Sequence, residues 1–187
     1  MRLFLAIELS AGLVQALAEA TAPLRAEVPD LAWLPDGKCH LTIKFLGDVP
    51  AERLERILAM SDQVASNHRP FAMQLAGFGA FPNFQRARVV WTGVEHESRL
   101  ELLHHDVEIA CRDEGFELEG QAFRPHVTVA RVRTPMGEED GRRLAQVAQA
   151  IDFSATQDVV AISLFESILA PAGATYRRVH AATLGGR

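Results

Sequence analysis

The stretch HLTIKF, residues 40–45, has a counterpart in HVTVAR, residues 126–131, and 126 − 40 = 86. Each is an apolar run opened by a His-x-Thr triplet. On an extended strand alternate side chains share a face, so His40 and Thr42 stand together while Cys39, Leu41 and Ile43 point the other way. His126 and Thr128 repeat the arrangement with Val127 and Val129 opposite.

The offset of 86 aligns more than the triplets. Residues 51–66, AERLERILAMSDQVAS, carry a helical apolar period through Leu54, Ile57, Leu58 and Val64. Moved by 86 they fall on residues 137–152, GEEDGRRLAQVAQAID, helical through Leu144, Val147 and Ile151. In the other direction, the opening strand RLFLAIEL falls on RVVWTGVE at 88–95, and a helix from Ala11 to about Glu27 falls on one from Glu97 to about Glu114. Each half therefore reads strand, helix, strand with HxT, helix. Few residues match, so the repeat rests on pattern.

The remaining pieces read as strands that complete the sheets. FAMQLAGFGAF, residues 71–81, is rich in strand formers, and DVVAISLFESILA followed by TYRRVHAATL reads as a hairpin turned at Pro171 and Gly173. No low-complexity segment or long linker divides the chain. The expected organisation is one bilobal unit over 1–187, with repeat halves of about 2–67 and 88–152 and with 70–87 and 153–183 completing the sheets.

A chain of 187 residues with 48% hydrophobic and 23% charged side chains is long enough for a sizeable core. No apolar run approaches the roughly eighteen residues needed to cross a bilayer, and MRLFLAIELS lacks the layout of a secretory signal, so a cytoplasmic protein is expected. Cys39 and Cys111 are too few for a disulfide framework and lack zinc-binding spacing; reduced thiols are expected. A formal charge of −5 argues against tracking a long nucleic acid through many phosphates, so any nucleic acid should be met at a terminus, with modest salt dependence.

If the repeat is a pseudo-two-fold, the two HxT strands can meet near its axis and present two imidazoles and two hydroxyls to one cleft. Hydrolysis of a phosphodiester needs a base for water and an acid for the leaving oxygen, and imidazole, with a pKa of about 6.5, fills either role. Threonine hydroxyls can donate to the non-bridging oxygens as charge grows on them. Each HxT offers one strong metal ligand, which falls short of a zinc shell, and Cys39 and His40, being neighbours on a strand, point apart. His104 and His105 on a helix, and His68, His96 and His180 without a partner motif, read as packing or surface residues.

With these motifs in view the chain resembles the 2H phosphoesterases, named for two HxT motifs, and within them the LigT-like RNA 2′,3′-cyclic phosphodiesterases, also called 2′-5′ RNA ligases. The likeness runs through RLFLAIEL, HLTIKFLG, FGAFPNFQRARVVWTGV, PHVTVAR and SLFESILAPAGATYRRV, nearly the whole chain. It implies an α+β, bilobal fold with two antiparallel β-sheets forming a V-shaped groove and helices packed on the outside. It also implies metal-independent, cofactor-free hydrolysis of RNA or nucleoside 2′,3′-cyclic phosphates to 2′-phosphates by a monomer, with ATP-independent 2′-5′ ligation in some members.

By that likeness His40 would be the general acid and His126 the general base, although the symmetry of the motifs leaves the two roles interchangeable. Thr42 and Thr128 would hold phosphate oxygens, Arg131 would contact the phosphate, and Phe45 would face the nucleoside. Strand parity opposes the last two, since both lie an odd number of steps from their histidine; a bulge would be needed to bring them in. The alternatives are core packing for Phe45 and a surface ion pair for Arg131. Two rival functions share the fold: a non-catalytic nucleotide-binding module, and a phosphodiesterase for another cyclic phosphate metabolite.

Overall fold

The computed structural model describes residues 1–35, 38–170 and 173–185. The described chain runs β1 (Arg2–Glu8), α1 (Ala11–Ala20), α2 (Ala22–Glu27), β2 (Ala32–Trp33), β3 (His40–Asp48), α3 (Leu54–Ser66), β4 (Phe71–Phe81), β5 (Val89–Val94), α4 (Ser98–Asp113), β6 (His126–Arg131), α5 (Glu138–Ala150), β7 (Ser154–Val159), β8 (Ala161–Ile168) and β9 (Thr175–Thr183). All strand pairings are antiparallel, in the order β7-β4-β5-β6-β3-β1-β8-β9, with the short β2 added on β6.

The expected two sheets are present as two leaves, β7-β4-β5-β6 and β3-β1-β8-β9, and they are joined along the β3–β6 seam by one residue pair, Leu41 with Val127. Those are the central residues of the two HxT triplets. So narrow a seam lets the leaves diverge on either side of it while holding the triplets side by side. Helices back each leaf. α3 packs on β8 and β9 and α4 on β3, while α1 packs on β7 and α5 on β4. Among the described residues no helix is long and apolar enough to cross a membrane.

The core lies between sheet and helices. β1 is central and buried on both faces, which is why LFLAI reads as an unbroken apolar run: Leu3, Leu5 and Ile7 are covered with the rest of the core, and Phe4 is covered from the groove side. Two sequence expectations need adjustment. The single helix from Ala11 to Glu27 is two, because Pro23 lacks an N–H to continue the ladder and starts a new helix, while the Thr21 hydroxyl donates back to the Leu17 carbonyl at 2.8 Å. The strand read over 158–170 is divided at Val160: β7 pairs with β4 in one leaf and β8 with β1 in the other. The hairpin of β8 and β9 forms as expected, with Gly173 at φ +114° and its N–H on the Ala170 carbonyl; Pro171 lies outside the described residues.

Candidate active site

The HxT strands shape the site through a matched irregularity. In β3, Leu5 of β1 faces Lys44 and its neighbour Ala6 faces Thr42, so Ile43 is an extra residue. In β6, Val90 of β5 faces Ala130 and Trp91 faces Thr128, so Val129 is extra. The two bulges fall at equivalent places, since 129 − 43 = 86. Each puts two successive residues on the buried side, Ile43 with Lys44 and Val129 with Ala130, and so reverses the parity of the rest of its strand. Phe45 and Arg131, which simple alternation turned away, are delivered to the groove.

One cavity of about 610 Å³ is lined by all six of the sequence-predicted residues, His40, Thr42, Phe45, His126, Thr128 and Arg131. Its volume suits a small ligand such as a nucleotide. The core-packing alternative for Phe45 does not hold, as the residue is 63% exposed. Nor does the ion-pair alternative for Arg131, which faces no carboxylate at bonding distance among the described residues. Among the described residues, the charged side chains in the lining are Arg2, Lys38 and Arg131, with no Asp or Glu, in a chain of formal charge −5. Such a site attracts anions.

Both imidazoles are held the same way. His40 Nδ1 lies 3.0 Å from the Lys38 carbonyl and His126 Nδ1 lies 2.7 Å from the Arg124 carbonyl, each two residues earlier in the chain. A carbonyl only accepts, so Nδ1 carries the proton and donates, and Nε2 is left as the atom that can exchange one. Aromatic rings fix the rest. His40 sits 4.9 Å from Phe4 and meets Tyr176 edge-on at 5.1 Å, while His126 meets Phe81 edge-on at 4.9 Å with Trp91 beyond at 6.3 Å. Burial lowers the His40 pKa from its ordinary 6.5; the Lys38 carbonyl opposes this, and the Arg131 guanidinium adds to the lowering.

Sequence reasoning missed Tyr176 and Lys38 as groove residues. Tyr176 is the chain's only tyrosine and alternates with polar neighbours on β9, a signal that could have singled it out. Lys38 Nζ donates to the Ala174 carbonyl at 2.7 Å, which ties the segment before β3 to the β8–β9 turn. The remaining histidines lie elsewhere as expected: His68 on Asp106, His96 on Glu101, His180 on Asp62, and His104 stacked 3.8 Å from Phe123. Among the described residues no three His, Cys, Asp or Glu side chains converge as a metal site would require.

The profile of the LigT-like phosphoesterases matches the chain twice, at residues 7–91 and 93–176. The chain belongs to the LigT-like phosphoesterase family. The two matched segments begin 93 − 7 = 86 residues apart, the offset of the HxT triplets. The chain is 31% identical to the RNA 2′,3′-cyclic phosphodiesterase of Methanothermobacter thermautotrophicus over 94% of this chain and 95% of that protein. It is 34% identical to the protein of the same name from Geobacillus stearothermophilus over 128 residues, 68% of this chain but only 41% of that longer relative. Among solved structures, TT0787 of Thermus thermophilus superposes with a TM-score of 0.83 at 28% identity, covering 100% of this chain and 99% of that one.

Proposed function

We propose that this LigT-like phosphoesterase is an RNA 2′,3′-cyclic phosphodiesterase that hydrolyses cyclic phosphate ends to 2′-phosphates without a metal, as a monomer in the cytoplasm. One observation carries the reading: two imidazoles, each with Nδ1 bound to a carbonyl, line a single cation-rich groove together with two threonines. The names of the two relatives agree with it.

The chemistry comes from that arrangement. The cyclic phosphate lies between the two triplets, its non-bridging oxygens accepting from the Thr42 and Thr128 hydroxyls and from the Arg131 guanidinium. His126 Nε2 takes a proton from water as its oxygen bonds to phosphorus. The bond from phosphorus to O3′ breaks, and His40 Nε2 gives its proton to that oxygen, leaving a free 3′-hydroxyl and a 2′-phosphate. Hydroxyls and guanidinium stabilise the charge that gathers on the equatorial oxygens. Phe45 offers its exposed ring to the base. A 5′-hydroxyl in place of water would give a 2′,5′ bond by the same two proton transfers.

Chelator-treated protein is expected to open 2′,3′-cyclic AMP and release only the 2′-monophosphate, read by chromatography against both isomers. Release of the 3′-monophosphate alone would sink the assigned regiochemistry. His40→Ala and His126→Ala should each lower turnover by about 10²- to 10⁴-fold, the worth of one general acid or base.

A further inference from the structure

A second pocket, of about 460 Å³, opens beside the groove and is lined by Arg86, Arg88 and Arg133 along with Val132, Pro135 and Met136. It is continuous with the groove through the backbone: Val89 and Arg131, which pair across β5 and β6, line the first cavity, and the Val132 N–H donates to the Arg88 carbonyl at 2.9 Å one step further out. Arg131 ends β6 and Arg133 follows two residues later, close enough along the chain to serve neighbouring phosphates of one strand.

The arginines of this region differ from six others in the protein. Arg56, Arg99, Arg112, Arg143, Arg177 and Arg178 each hold a carboxylate. Arg86, Arg88, Arg131 and Arg133 are all exposed, and none forms an ion pair among the described residues. The nearest acidic run, Glu138 to Asp140, belongs to the first turn of α5 and lies outside the pocket lining; Glu139 is occupied by Arg143. In a chain of net charge −5, four guanidinium groups that line two cavities and hold no carboxylate among the described residues offer a path for anions, and the planar fork of arginine suits phosphate oxygens.

We infer that this pocket binds the backbone phosphates of the RNA immediately upstream of the cyclic end, so the preferred substrate is an oligonucleotide terminus and not a free nucleotide. The inference rests on the cyclic phosphodiesterase reading for what occupies the groove, and it adds a site about three phosphates long outside it.

The test compares 2′,3′-cyclic AMP with a six-nucleotide RNA ending in a 2′,3′-cyclic phosphate, for the intact chain and for the variant Arg86→Gln/Arg88→Gln/Arg133→Gln. For the hexamer, the variant's KM should rise at least tenfold at low salt. The dependence of log(kcat/KM) on log[salt] should flatten by about 2, three phosphates at about 0.7 each. With 2′,3′-cyclic AMP, kcat/KM should stay within twofold. Equal losses on both substrates, or no loss on the hexamer, would overturn the inference. Fluorescence anisotropy with a hexamer ending in a 2′-phosphate reads the same site without turnover. If the intact chain opened neither substrate, the phosphodiesterase reading would fall, and the anisotropy would still decide this one: weaker binding in the variant upholds the phosphate path, and an unchanged Kd removes it.

Discussion

The two histidines are alike in sequence context and in their Nδ1 bonds, but their surroundings differ. His40 is packed among Phe4, Tyr176 and Phe165 and lies near the charge of Arg131, and both burial and charge disfavour its imidazolium. In the proposed role of proton donor, His40 must be protonated when substrate arrives. Its lowered pKa therefore sets the alkaline limb of kcat/KM below about pH 6.5. A bound phosphodiester anion offsets the Arg131 charge and raises that pKa, so the same limb in kcat should lie at higher pH. Arg131→Gln removes a cation from beside His40 and should move the alkaline limb of kcat/KM upward while reducing its height. If the acid limb moved upward instead, His40 would be the base and the two roles would be exchanged. The same shift bears on stability. Because the folded pKa is depressed, the unfolded chain binds the proton more readily as pH falls below about 6.5, so stability drops through that window and levels off below the folded pKa. His40→Gln should flatten this part of a plot of urea midpoint against pH.

Among the elements, the paired bulges decide what the groove contains, and they are secured differently. On β6 the second inward residue is Ala130, which fits the core without further help. On β3 it is Lys44, whose Nζ lies 2.7 Å from Glu108 Oε1 and donates to the Glu117 carbonyl at 2.7 Å, while the other Glu108 oxygen accepts from the Glu119 N–H at 2.9 Å. Both side chains are buried, so the pair fastens the β3 bulge to α4 and with it the outward turn of Phe45. Lys44→Met should cost about 3–5 kcal/mol in urea unfolding, because Glu108 is then left charged in a dry site, and Lys44→Met/Glu108→Leu should recover most of it. A single variant as stable as the parent would show that the pair anchors nothing. The bulges also mark the limit of what the sequence makes legible. His40, Thr42, His126 and Thr128 can be read from alternation and the 86-residue offset, whereas a bulge is a matter of register with β1 and β5 and leaves no mark in HLTIKF or HVTVAR themselves. β7 escapes notice for a related reason: SATQDV has few strand formers and becomes a strand by pairing along β4.

At the scale of the molecule, the repeat visible in the sequence is not a pair of units folded side by side. β4, which comes after the first HxT and its helix, lies in the leaf of β5 and β6, and β8 and β9, which come after the second, lie beside β1. Helices cross over too, α1 backing β7 and α4 backing β3. Each leaf thus takes strands and cover from both halves of the chain, an exchange that no offset between similar segments could reveal, since the offset relates sequence neighbours and not sheet neighbours. One consequence concerns cooperativity. Separating the halves would strip β1 and β3 of β8, β9 and α4, strip β5 of β4, and strip β7 of β4 and α1, uncovering apolar surface in both leaves at once. Unfolding is therefore expected to be a single transition. Native-state amide exchange should return the same opening free energy for β1, in one leaf, as for β5, in the other, and a fragment of residues 1–87 alone should lack a cooperative urea transition. Two distinct opening free energies would mean that the seam at Leu41 and Val127 joins leaves that hold themselves together, in which case the groove could widen by parting there without the rest of the fold giving way.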